Sequence, residues 1–320
     1  MKIFASSKKK IYLYEYKKGV INSKSIDINK YNINYFIQYK DNYNNTYYFC
    51  FYEEKVVIYS NLFYHFNEKS EDIILNNFSA KSMIQITEFL FVIKSNKIAS
   101  KGKDTLIFIN SEKKKMNIKL DGNYSFVYTT NGLAVMPIER GRKENDNIYR
   151  HKVLLCACKK YIKGQKNGIL LVNIKIKNKY KINISSHFYP TGNFEVYCIC
   201  PLLNFSKKDF LKDYEKFDTN YFLVGGFDLD RCKGKIKLYK VNYAMEYSQT
   251  IIEYIQDIIF DKNKFINFKG PISCITQSSI NGDILISCWG GNIYLFSNVN
   301  FDFVLNYDKQ DEFLENLVYY

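Results

Sequence analysis

A four-residue strand signature recurs six times along this 320-residue chain, and that recurrence restricts the fold more than any other feature. The signature is an apolar residue, any residue, Leu or Ile, and then an aromatic residue or valine. It reads Ile11-Tyr12-Leu13-Tyr14, Val56-Val57-Ile58-Tyr59 and, more loosely, Thr105-Leu106-Ile107-Phe108. The later copies are Ile169-Leu170-Leu171-Val172, Ile236-Lys237-Leu238-Tyr239 and Ile293-Tyr294-Leu295-Phe296. Their fourth residues lie 45, 49, 64, 67 and 57 positions apart.

Four-stranded units of about 40–45 residues, lengthened by insertions, are the blades of β-propellers. A neighbouring strand usually precedes the signature as its hairpin partner: Tyr47–Tyr52, Val153–Lys159, Tyr221–Gly225 and Ile284–Trp289 precede four of them. The best-formed unit is Ile272–Ser297, with turn signals at Asn281-Gly282 and Gly290-Gly291. Val153–Cys158 is apolar on both alternating faces, as expected of a strand covered on both sides. The fold expected is therefore all-β, a single propeller domain over 1–320 with six blades, seven being the competing count.

Two inserts account for the longer intervals. Glu139–Lys152 is polar and reads as an exposed loop. In Asn204–Asn220, Phe210, Tyr214 and Phe217 have the spacing of one helical face, and Ser206 stands where it would cap, so a short helix is expected near 206–217. Residues 297–320 and 1–14 together have about the length of one unit, which predicts a blade shared by the two ends of the chain.

The net charge of +14 invites a nucleic-acid or anionic-lipid reading. Its makeup argues against that reading. Forty-two of the forty-six basic residues are lysine, and lysine lacks the planar fork with which arginine grips phosphate. Nucleic-acid binding is thus the alternative and not the favoured reading. No hydrophobic stretch resembles a secretory signal or a membrane span, so an intracellular protein, cytoplasmic or nuclear, with reduced cysteines is expected.

The hairpin Ser287-Cys288-Trp289-Gly290-Gly291-Asn292 resembles a degenerate WD-type repeat, with Gly290 where Asp is usual. A second resemblance spans about 194–296. Glu195–Cys200, Tyr221–Gly226, Gly234–Tyr239, Lys269–Ile272 and Gly291–Phe296 follow the order seen in the propellers of the large cleavage-and-polyadenylation factor and damaged-DNA-binding subunits. That likeness implies a non-catalytic scaffold that docks other proteins of a multi-subunit complex.

The residues that bear chemistry are sparse. Cys156-x-Cys158 and Cys198-x-Cys200 have the form of zinc half-sites, but a straight strand holds such sulfurs poorly and packing is the preferred reading. His65, His151 and His187 stand apart, and His151, in the polar insert, and His187, near Pro190, read as solvated loop residues. Gly225-Gly226 with Asp228 and Asp230 reads as a hairpin loop, and Cys274, Cys288 and Trp289 as packing between blades. No nucleophile elbow or phosphate loop is present, so no catalytic residue, cofactor or metal is expected. The candidate interaction loop is Arg140, Arg142 and Lys143 with Arg150 and Lys152, which could dock phosphate, phosphoinositide or acidic peptide, although a solvated surface loop is the preferred reading.

Overall fold

The structure is a computed structural model of the whole chain. It describes the strands named below, the 3₁₀ turn Thr130–Gly132, and positions 104, 123, 127, 129, 136–137, 164, 177, 181, 193, 229–232, 268, 270–271, 278–283 and 289–292. His65 and Phe210 lie outside the described residues, as do Lys8-Lys9 and Lys113-Lys114. The chain divides into two compact units, Met1–Lys119 and Leu120–Tyr320.

All pairs among the described strands are antiparallel, and these strands gather into sheets in chain order. In the first unit, β1 (Lys2–Ser6), β2 (Lys10–Lys17) and β3 (Val20–Asp27) form the first sheet. The second contains β4 (Tyr35–Lys40), β5 (Thr46–Phe51), β6 (Lys55–Ser60) and β7 (Lys69–Ile74). A third contains β8 (Phe78–Thr87), β9 (Leu90–Lys97), β10 (Thr105–Asn110) and β11 (Lys115–Met116). Its core includes Leu90–Ile93, Leu106 and Phe108, and the Phe49 ring lies 5.8 Å from that of Phe91.

In the second unit, the fourth sheet runs β12 (Tyr124–Phe126), β15 (Asn147–Tyr161), β16 (Gln165–Ile176) and β17 (Ile182–Gly192). The short strands β13 (Leu133–Val135) and β14 (Arg140–Glu144) also pair with β15. The fifth sheet is β18 (Phe194–Lys207), β19 (Tyr214–Asp228), β20 (Lys233–Tyr243) and β21 (Thr250–Ile258). The sixth is β22 (Ile272–Gln277), β23 (Ile284–Cys288), β24 (Ile293–Phe296) and β25 (Val318–Tyr319).

The six signatures fall in six different sheets, on β2, β6, β10, β16, β20 and β24. In every case the strand is the penultimate one of its sheet. On β2, β6, β16 and β20 the signature residues have a paired strand on each side, whereas Leu106 and Ile107 of β10 and Ile293 and Phe296 of β24 are paired on one side among the described residues.

Alternation explains how the second unit packs. Phe222 and Val224 of β19 and Tyr239 and Val241 of β20 face a core shared with Leu155, Ala157, Ile169 and Leu171 of the fourth sheet. Leu223, Ile236 and Leu238 point the other way, into a core shared with Ile272, Ile275, Ile284 and Ile286 of the sixth. The fifth sheet is thus covered on both faces. Each such side chain contributes about 1.5–3 kcal/mol by leaving water.

Several expectations need correction. The described residues of the segment near 206–217 are strand and not helix: Ser206 pairs with Glu215 and Asn204 with Phe217, extending the β18–β19 ladder. Continuing an existing ladder needs no new nucleus, whereas so short a helix must form one unfavourable first turn. Nor do the chain ends share a sheet among the described residues: Val318 pairs with Leu295 and Tyr319 with Tyr294, while β2 pairs with β1 and β3. The 139–152 segment is a β-hairpin and not a loop, with Arg140 opposite His151 and Arg142 opposite Tyr149. His151 is accordingly a half-buried strand residue, and His187 lies exposed on β17.

Gly225 and Gly226 lie inside β19, ahead of the turn, where two strands approach them closely. A Cβ on Gly225 would stand 2.6 Å from both Cys198 Sγ and Ile272 Cγ2. The turn itself begins at Asp228, whose Oδ1 accepts hydrogen bonds from the backbone N–H groups of Asp230 and Arg231.

Candidate functional site

Tyr197 is displaced from the β18 ladder by a β-bulge. Val196 pairs with Gly226 and Cys198 with Gly225, leaving Tyr197 opposite no residue of its own. The extra residue reverses the alternation, so Val196 joins the core toward the fourth sheet and Cys198 the core toward the sixth. Tyr197 is left half-buried, packed against the margin of the core toward the fourth sheet.

Its surroundings hold it at three points. Thr129 Oγ1 donates to the Tyr197 carbonyl oxygen. The phenol donates to Glu195 Oε2 at 2.6 Å, and Lys159 Nζ reaches Glu195 Oε1 at 2.6 Å. The third contact is the ring of Trp289, tilted against that of Tyr197 at 4.7 Å between centroids.

Trp289 is 58% exposed, although it is the chain's one tryptophan and was expected to pack between sheets. The reason lies in the turn joining β23 to β24. Gly291 N–H donates to the Cys288 carbonyl, and Gly291 adopts a φ of 85°, a conformation glycine takes without steric cost. Trp289 N–H donates to the Pro271 carbonyl at 3.0 Å. These bonds turn Cys288 inward, where it is buried, and the next side chain outward.

Electrostatics at the site are settled locally. Desolvation raises the Glu195 carboxyl, but the hydrogen bonds from Lys159 and Tyr197, with the Lys159 charge, outweigh it and hold the group below its ordinary value. The Tyr197 phenol is pushed up by burial, by donating to Glu195 and by that residue's negative charge. The site is therefore a neutral phenol and an ion pair flanking an exposed indole. Such an arrangement suits recognition: large rigid rings with a polar, solvated margin.

Asn131, on the 3₁₀ turn, extends this region. Its Nδ2 donates to Cys274 Sγ at 2.8 Å and to the Ile275 carbonyl at 3.3 Å, both on β22. Thr129 bonds β18, so one turn of the fourth sheet engages the first strand of each of the next two sheets.

The basic candidates are not gathered here. Arg140, Arg142 and Lys143 lie on β14, with Arg150 and Lys152 on β15; Arg150 and Lys152 are half-buried. The paired cysteines are packing residues. Cys156, Cys158, Cys198 and Cys200 are buried, and burial pushes the Cys200 thiol up to about 12. Among the described residues no group of three or more potential ligands is placed to hold a metal ion. No described helix is long and apolar enough to cross a membrane.

Sequence reasoning passed over Trp289 and Tyr197. The signal available was a glycine pair immediately after the tryptophan, which marks a turn and so favours an outward side chain. No protein-family model matches this chain, and no curated protein matches it.

Proposed function

We propose that this protein is a non-catalytic, WD-like β-propeller scaffold of a multi-subunit complex, and that it docks other proteins through Trp289 and Tyr197. The observation that carries the reading is the exposed Trp289 ring braced against Tyr197. Buried tyrosines and tryptophans dominate the energetics of many protein interfaces, and a ring already held in place loses little entropy on binding.

Support for the propeller comes from the second unit. Three successive antiparallel sheets stack face to face through two cores. Asn131 of the fourth sheet reaches β22 of the sixth past the intervening fifth. Contact between alternate sheets requires their first strands to converge, as blades do around an axis.

A basic nucleic-acid or lipid module draws less support. Lys159 and Lys235 face carboxylates, while Lys160, Lys237 and Lys240 lie over aromatic rings. Those ammonium groups already have partners.

Cross-linking in native complexes tests the proposal. A photo-reactive phenylalanine replacing Trp289 should capture one reproducible partner, and the same group replacing Arg142 should not. Capture only from position 142, or from neither, would overturn the docking site.

A further inference from the structure

The outer edge of the fourth sheet is unusual among the edges of this protein. β17 is an 11-residue strand whose only described pairing partner is β16. Its sequence, INISSHFYPTG, contains no Lys, Arg, Asp or Glu. The other described edge strands longer than six residues, β3, β8, β18 and β21, each carry at least one charge.

Exposed edges of soluble proteins are normally guarded by charge, by a bulge or by brevity, because a row of free backbone N–H and C=O groups invites another strand. None of these guards β17 between Ile182 and Tyr189, where the register with β16 is continuous. No residue of β17 is buried, in contrast to the run Gly168–Ile174 beside it. Pro190 interrupts the edge only near its end.

We propose that β17 is a homodimer interface, pairing antiparallel with β17 of a second copy about a two-fold axis at Ser186. The strand is complementary to itself in that register. Ile184 falls opposite Phe188 of the other copy, so the half-buried apolar positions meet on one face. Ser185 falls opposite His187, and these exposed polar positions meet on the other. Closing two open edges on each other also leaves neither one free, which is how a two-fold assembly ends growth.

The antiparallel orientation about this axis keeps like charges apart. Two copies each carrying a net +14 repel over most of their surfaces, and an uncharged strand offers the contact with least repulsion. Exposed Lys181, immediately before β17, would face Thr191 of the other copy and not its own counterpart. The two Lys181 residues would stand roughly 30 Å apart, several times the screening length of about 8 Å.

The test uses the full chain carrying Cys232→Ser, which removes the exposed thiol. Ser186→Cys should give a disulfide-linked dimer on mild oxidation, because position 186 meets itself across the axis. Asn183→Cys should cross-link far less, since position 183 faces Tyr189. Sedimentation should show a concentration-dependent dimer, and S185K/H187K, which sets lysines directly opposite one another at exposed positions, should weaken it by about tenfold or more. A monomer up to about 100 μM, equal cross-linking at 183 and 186, or a dimer indifferent to S185K/H187K would overturn the proposal. So would a stoichiometric complex in which a strand from a different protein occupies this edge.

Discussion

Two hairpins of the second unit make opposite impressions in sequence and in three dimensions. The 140–152 hairpin is conspicuous as a sequence, with three of the chain's four arginines, but it is a ladder extension in which Arg150 and Lys152 are half-buried. The Cys288–Asn292 turn is short and nearly uncharged as a sequence, yet it presents an exposed indole braced by a neighbouring sheet. In a chain so rich in lysine, a cluster of charge is a weak marker of function. An aromatic side chain held outward by tertiary contacts is a stronger one, because exposing that ring forgoes burial that folding would otherwise favour.

The largest difference between the hairpins should appear in binding. Trp289→Ala is expected to weaken a captured partner by about 2–4 kcal/mol, while costing about 1 kcal/mol of stability through the lost ring pair. Isothermal titration and urea unfolding read the two effects separately. Gly225→Ala probes the support beneath the turn. Its new methyl would crowd Cys198 and Ile272 at 2.6 Å, so a stability loss of about 1–3 kcal/mol is expected as a lower urea midpoint.

A smaller effect, about 1 kcal/mol, is expected of Tyr197→Phe, which keeps the ring and removes the hydrogen bond to Glu195. The accompanying pH dependence has a definite sign. The folded Glu195 carboxyl lies below its ordinary value of 4.5, so its contribution is full above that value and is lost as pH falls through the folded one. Urea midpoints should therefore show the wild-type advantage over Glu195→Gln shrinking on acidification. Arg140→Ala with Arg142→Ala and Lys143→Ala should change partner affinity least, by less than about twofold, since the proposed docking surface is the ring pair of Trp289 and Tyr197.

Much of the fold was legible. The signature located one strand in each of six sheets, and the turns at Asn281-Gly282 and Gly290-Gly291 fall between the expected strands, with Gly282 and Gly291 both at positive φ. Those features depend on local alternation and turn chemistry. The helix expected near 206–217 failed because spacing alone ignores the neighbouring strand already available for pairing. Tyr197 was illegible for a related reason: a bulge is defined by two strands, and the sequence of β18 alone contains no mark of it. The pairing of β25 with β24 was likewise a choice between distant partners.

One binding measurement bears most directly on the docking surface. The partner captured from position 289 should be titrated against wild-type protein, Trp289→Ala and the Arg140/Arg142/Lys143 alanine variant in the same buffer at physiological salt. The account predicts a loss of about 30-fold or more for Trp289→Ala and near-wild-type affinity for the triple variant. Near-wild-type binding by Trp289→Ala, with the loss falling on the triple variant, would contradict it.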